Sequence, residues 1–252
     1  MRPPFSRIWI TGASSGIGRH TALRLAALGV TVVASARSTA ALEALAAEAP
    51  GRIHPVPVDV TDRAAVHAAF AEAEATAGPL DAALLCAGTH RPMSAGDFSA
   101  AVCEELMRVN YGGTCNALDA LLPAFRARRA GRIAVVASVA GWRGLPTAAA
   151  YGPTKAALIN LCESLYPGLR EAGILMQVVN PGFVKTPLTD RNDFRMPHLM
   201  TPDAAADALI EGLCGDAFEI AFPRAFTGRL RLARLLPYRL WFPLVRKITG
   251  RT

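Results

Sequence analysis

The chain has 252 residues, of which 52% are apolar and 19% charged, with 21 glycines and 18 prolines. That balance excludes a disordered, collagen-like or coiled-coil protein, and the length allows a large core without disulfides or a structural metal. The net charge of +7 is lodged at one end: residues 224–252 carry eight of the 27 basic side chains and no Asp or Glu. The rest is nearly neutral, which argues against any general affinity for nucleic acid.

The five cysteines, Cys86, Cys103, Cys115, Cys162 and Cys214, are scattered and form no C-x-x-C pair. They read as reduced, apolar thiols, and neither a disulfide framework nor a metal site is expected. No run of about 18 uncharged apolar residues is present, so no membrane-spanning helix is predicted. The opening residues, Met1 to Arg7, carry two prolines and lead at once into a strand-like run, leaving no room for a signal peptide. A cytoplasmic protein is the expectation.

In chain order, apolar runs and longer Ala/Leu/Glu/Arg stretches alternate. The pattern predicts strand 7–11, helix 16–28, strand 30–34, helix 39–49, strand 53–57 and helix 62–77. It continues with strand 82–86, helix 98–121, strand 132–137, helix 149–171, strand 175–180, helix 202–212 and a weaker strand 219–222. Thr61 before Asp62, and Thr201 before Pro202, mark helix starts. Such alternation implies an α/β fold: a single Rossmann-type, doubly wound parallel sheet with helices on both faces and ligand at the carboxyl ends of the strands. No linker divides residues 1–222, and residues 223–252 form a basic amphipathic extension.

Between the first strand and first helix runs Thr11-Gly12-Ala13-Ser14-Ser15-Gly16-Ile17-Gly18. Glycine there permits a tight turn and lets a pyrophosphate reach backbone N–H groups at the positive end of a helix. After the second strand, Ala36-Arg37-Ser38 contains no carboxylate to hold ribose hydroxyls. Arg37 would attract a 2′-phosphate, which favours NADP(H) over NAD(H). Asp59 and Val60 follow the third strand; Asp59 either receives an adenine amino group or caps the next helix.

Tyr151-Gly-Pro-Thr-Lys155 sets a phenol and an ammonium one helical turn apart, and the charge is expected to pull the tyrosine toward ionisation. Ser138 ends the preceding strand at the ligand edge, where its hydroxyl can either bond the same substrate oxygen or cap a turn. In these residues the sequence resembles the short-chain dehydrogenase/reductase family. The glycine loop, Asn110 in Val-Asn-Tyr-Gly-Gly, Ser138, Tyr151-x-x-x-Lys155 and Pro181-Gly-Phe-Val-Lys-Thr186 occur in the family's order over residues 7 to about 190. The resemblance implies that Tyr151 is the general acid/base, Ser138 stabilises the substrate oxygen, Lys155 binds the nicotinamide ribose, and Asn110 anchors a proton-relaying water chain. It also implies cofactor contacts from Gly12, Ser14, Ser15, Gly16, Ile17, Gly18, Ala87, Gly88, Pro181, Gly182, Val184 and Thr186, and a homodimer or tetramer.

One departure is visible. Where relatives carry Asn-Asn-Ala-Gly, this chain reads Leu85-Cys86-Ala87-Gly88, so bracing of the central sheet must differ. Residues 188–200 correspond to a substrate lid. Phe194, Met196, Leu199 and Met200, with Trp142, Leu145 and Phe183, are expected to form an apolar substrate pocket, while His198 is not expected to be catalytic. The extension interleaves Leu, Trp and Phe with arginine, and Pro237 and Pro243 are expected to break it into short pieces. Two readings stay open for it: an in-plane anchor on the inner face of a membrane, or packing onto the domain or a second copy. The activity implied is carbonyl reduction or alcohol oxidation on a hydrophobic small molecule. A cofactor-sensing protein without turnover, or sugar dehydration or epimerisation on the same site, are the rivals.

Overall fold

The computed structural model describes residues 3–194 and 196–249, the side chains of 247–249 excepted. Expectations resting on Met1, Arg2, Arg251, Thr252 and the Lys247 side chain lie outside the described residues.

The first strand, β1 (Arg7–Thr11), is an apolar run whose alternate side chains enter opposite layers: Ile8 and Ile10 on one face, Trp9 on the other. A glycine turn leads to α1 (Gly16–Ala27), followed by β2 (Thr31–Ser35) and α2 (Thr39–Glu48). The Ser38 hydroxyl caps α2 by accepting from the Ala41 N–H. The next strand, β3 (Ile53–Pro55), is shorter than expected. Val56 and Val58 still donate to the Ala34 and Ala36 carbonyls, but Pro55 and Pro57, which alternate with them, lack donors and the regular ladder ends. In α3 (Arg63–Ala77) the cap is Asp62, which accepts from the Ala65 N–H. Neither Thr61 nor Asp59 fills that position, because Asp59 instead folds onto the Thr61 N–H and hydroxyl.

After β4 (Ala82–Leu85), the expected single helix 98–121 is three pieces: α4 (Ala100–Met107), a π-turn at Arg108–Gly112, and α5 (Gly113–Arg128). The wide turn accommodates close packing: a Cβ on Gly113 would lie 2.5 Å from the Val60 side chain. Then come β5 (Gly131–Val136), α6 (Tyr151–Glu171), β6 (Ile174–Pro181), α7 (Pro202–Leu213) and β7 (Glu219–Phe222). Two further helices follow, α8 (Arg224–Ala233) and α9 (Tyr238–Thr249). Pro237 separates them as expected. Pro243 does not break the chain but sits inside α9, where a missing N–H deprives only one carbonyl, while Trp241 and Val245 are buried and hold the helix.

All seven strands are parallel, in the order β3-β2-β1-β4-β5-β6-β7. One core layer lies under α3, α5 and α6 and includes Trp9, Phe125 and Leu158; the other, under α1, α2 and α7, includes Ile10, Leu25 and Leu209. Truncating Trp9 or Phe125 to alanine would cost about 3–5 kcal/mol. Trp9 also donates from its indole to the Ser35 hydroxyl at 2.9 Å. Between β1 and β4 the chain changes direction across the sheet, which opens a crevice at the carboxyl ends of the strands. Among the described residues no helix is long and apolar enough to cross a membrane.

Candidate active site

A crevice of about 580 Å³ runs along that edge. At its floor the glycine loop is pressed against β4: a Cβ on Gly12, whose φ is +74°, would lie 2.7 Å from the Ala87 backbone. A Cβ on Gly18 would lie 2.4 Å from the Gly12 carbonyl oxygen, and one on Gly16, with φ +53°, 3.0 Å from Thr186. Bare backbone is therefore required at all three. The N-cap of α1, Ser15, makes no side-chain capping bond, so the first N–H groups of the helix face the crevice without an internal partner of that kind. Such a cradle, at a helix N-terminus and lined by glycine, fits the pyrophosphate of a dinucleotide.

At one end of the crevice stand Arg37, Ser38, Asp59 and Val60. Bonding from the Thr61 N–H holds the Asp59 carboxyl below its usual range, and the charges of Arg37 and Arg108 act in the same direction. At the other end Ser138, Tyr151 and Lys155 converge. The Ser138 hydroxyl accepts from the Ala140 N–H at 3.1 Å and lies near enough to the Tyr151 phenol to favour its ionisation. The serine is thus both a turn cap and the phenol's neighbour, which joins the two readings of it. The Lys155 Nζ donates to the Val136 carbonyl at 2.9 Å and stands 5.5 Å from the Tyr151 ring centre.

Burial governs the protonation here. It pushes the Tyr151 phenol well above the ordinary tyrosine value, against the opposing pull of Ser138, and pushes Lys155 down to about 8. The expectation that the ammonium draws Tyr151 toward ionisation is therefore corrected: burial raises the phenol, and the Lys155 ammonium is turned to the Val136 carbonyl. Tyr151 is a protonated acid in the protein alone.

Among the residues predicted for the cofactor and the chemistry, two do not border the crevice. Gly18 is folded under Gly12, and Asn110 lies behind the wall, fully buried at the π-turn. Its Oδ1 accepts from the Thr89 N–H at 2.7 Å, and its Nδ2 donates to the Thr89 carbonyl and the Thr154 hydroxyl, both at 3.0 Å. Asn110 thereby pins the loop after β4 to α6. Cys86 leaves the bracing of β1 against β4 to Thr11, whose hydroxyl accepts from the Cys86 and Ala87 N–H groups at 3.2 and 3.3 Å. Burial raises the Cys86 thiol to about 11.

The expected apolar pocket is half corrected. Leu145, Phe183 and Phe194 line the crevice, joined by Val139, Pro146 and Leu188. Trp142 instead lies under the guanidinium groups of Arg231 and Arg234, Met200 pairs with Val184 and packs into the core, and Leu199 points to solvent. Met196 accepts a weak bond from Asn192 and is absent from the lining, and His198 packs on Phe226, away from the phenol. Sequence reasoning missed His90. Its ring meets the Tyr151 ring edge-on at 4.8 Å, its Nε2 lies 3.1 Å from Asn192 Oδ1, and its Nδ1 is buried without a partner. Arg191 donates to the His90 carbonyl at 2.5 Å, so the lid is latched to the loop after β4. A lone histidine in an irregular loop carries no sequence signal of such a role.

A parallel, doubly wound sheet with a glycine cradle and a phenol–lysine pair at one crevice defines a dinucleotide-type oxidoreductase class. Over residues 6–195 the chain matches the family model described as short chain dehydrogenase, and it belongs to that family. It is 36% identical to an uncharacterized oxidoreductase of Myxococcus xanthus, over 95% of this chain and 96% of the relative. It is also 36% identical to 2-keto-3-deoxy-L-fuconate dehydrogenase of Xanthomonas campestris, over 91% of this chain and 69% of the relative. A short chain dehydrogenase of Burkholderia cenocepacia, solved in complex with NADP, superposes with a TM-score of 0.85 at 23% identity, covering 97% of this chain and 99% of the other. At that identity the likeness speaks for the fold.

Proposed function

We propose that the chain reduces a carbonyl on an apolar small molecule with NADPH, or runs the reverse alcohol oxidation, with Tyr151 as the acid/base. The observation that carries the reading is the meeting of Ser138, Tyr151 and Lys155 on the crevice that also holds the glycine cradle. A nicotinamide cofactor, when bound, supplies the hydride. Gly12, Ser14, Ser15, Gly16 and Ile17 would hold its pyrophosphate, and Thr186 with the backbone from Pro181 to Val184 its nicotinamide end.

Tyr151, protonated and beside Ser138, gives its proton to the carbonyl oxygen as negative charge develops there. Ser138 donates to the same oxygen and holds it beside the phenol. Lys155, easily deprotonated because burial brings it to about 8, returns a proton toward Tyr151, and Asn110 fixes the loop on which that return depends. Arg37, in a stretch at the end of β2 that itself contains no carboxylate, supports preference for a 2′-phosphate. Leu145, Phe183 and Phe194 support an apolar substrate.

Partly buried Leu122, Leu161 and Leu165 on α5 and α6 support pairing of copies through those helices, read by sedimentation. The five free cysteines support a reducing, cytoplasmic setting. The test is NADPH consumption over ketones, aldehydes, quinones, acyl thioesters and keto sugar acids. Turnover of apolar carbonyls that Tyr151→Phe abolishes is the expected result. Activity confined to the sugar acids removes the apolar reading, and full activity of Tyr151→Phe removes the mechanism.

A further inference from the structure

The extension after β7 is docked by one face and left uncovered on another. Trp241, Val245 and Thr227 are buried. Arg143, from the loop before α6, lies 4.7 Å from the Tyr238 ring centre and 4.6 Å from that of Trp241, and donates to the carbonyls of Arg234 and Leu236 at 2.7 and 2.6 Å. Arg224 and Arg231 pair with Glu211 and Glu219 of the domain. These contacts fix α8 and α9 as a platform.

Its outer side is unlike the rest of the surface. Of the eight large apolar residues exposed among those described, five fall between 232 and 242: Leu232 (72%), Leu235 (76%), Tyr238 (67%), Leu240 (51%) and Phe242 (56%). Arg229 and Arg239 are exposed on the same helices, and the segment 224–252 contains no carboxylate. Clustered aromatic and leucine side chains beside arginine, on helices docked to the domain through other side chains, meet both requirements of an interfacial site: apolar insertion and attraction to negative headgroups. A second copy of the same face would bring arginine against arginine with no carboxylate from residues 224–252 to answer it, which argues against a symmetric contact.

We infer that α8 and α9 are an in-plane docking surface for an anionic lipid bilayer. The surface adjoins the crevice: Phe226 of α8 packs on Phe183 of the crevice wall at 5.8 Å. Docking thus sets the apolar side of the crevice next to the acyl region, where a greasy carbonyl compound is concentrated. That consequence rests on the apolar-substrate reading above; lipid binding itself does not, and its test involves no turnover.

The test is flotation of the full chain with phosphatidylcholine vesicles, with and without phosphatidylglycerol, alongside sedimentation without lipid. Flotation is expected only with the anionic vesicles, weakening as salt is raised. Arg229→Gln with Arg239→Gln should lower the partition coefficient about 25-fold, roughly five-fold for each arginine near the surface. Leu235→Ser with Phe242→Ser should abolish flotation, and unchanged melting of both variants, whose replaced side chains are exposed, shows that they fold. Three results overturn the inference: no flotation with either vesicle, flotation equal for the arginine variant, or an oligomer that Leu235→Ser with Phe242→Ser dissociates in a chain that does not float.

Discussion

The two ends of the crevice are built on opposite terms. At the Arg37 end the polar groups are exposed, and water answers whatever the protein does not. At the Tyr151 end Lys155 and Asn110 are buried, and desolvation makes the phenol harder, and the ammonium easier, to deprotonate. Side chains at the first end contribute to recognition cheaply and are exchangeable. Those at the second are locked by hydrogen bonds to carbonyls and to one another, so that each change there disturbs protons as well as contacts.

Substitutions test this contrast. The largest effect belongs to Tyr151→Phe, which should cut the turnover number by about 10³-fold while leaving NADPH affinity, read by fluorescence titration, within a small factor. Next, Gly12→Ala should weaken NADPH binding and lower the melting temperature, since a Cβ there meets backbone at 2.7 Å under a positive φ. Lys155→Met should raise the stability of the cofactor-free protein, and the pH dependence identifies the cause. The folded value of about 8 lies below the ordinary 10.5, so the penalty for the buried charge is complete below pH 8 and fades as pH rises toward 10.5. Wild-type stability, from urea midpoints, should therefore climb between pH 8 and 10; above pH 10 the raised Tyr151 opposes it, because only the unfolded phenol ionises. A flat profile would mean that Lys155 is solvated.

At the exposed end the changes should be smaller. Arg37→Asp should shift the NADPH-to-NADH preference by about ten-fold or more toward NADH with the turnover number nearly kept, as measured by kcat/KM for each. Smallest, His90→Gln should leave chemistry in place and alter substrate KM a few-fold, since glutamine can still bond Asn192 while losing the ring contact with Tyr151.

What the sequence carried well were features with local cause. Alternating apolar runs located all seven strands, because buried parallel strands need Val, Ile and Ala on both faces, and glycine at 12, 16 and 18 marked a turn that side chains would block. What it concealed was settled by distant packing. The break of 98–121 into two helices answers to Val60, and the position of Trp142 to arginines nearly a hundred residues away. The protonation of Tyr151 is a property of the assembled cavity: spacing put Lys155 beside it, but only the fold shows the burial that raises the phenol. His90 drew no notice for the same reason.

The π-turn at Arg108–Gly112 inserts one residue's worth of rotation into an otherwise continuous helical path. Everything after it is phased by about 100° relative to an uninterrupted helix. Excising a single residue from this turn would close it to an ordinary α-helical turn and keep Ala117, Leu121 and Phe125 against the sheet, whereas excising one from α5 ahead of Ala117, where no bulge absorbs the change, would swing all three away, so the fold is sensitive here to the count of residues more than to their kind.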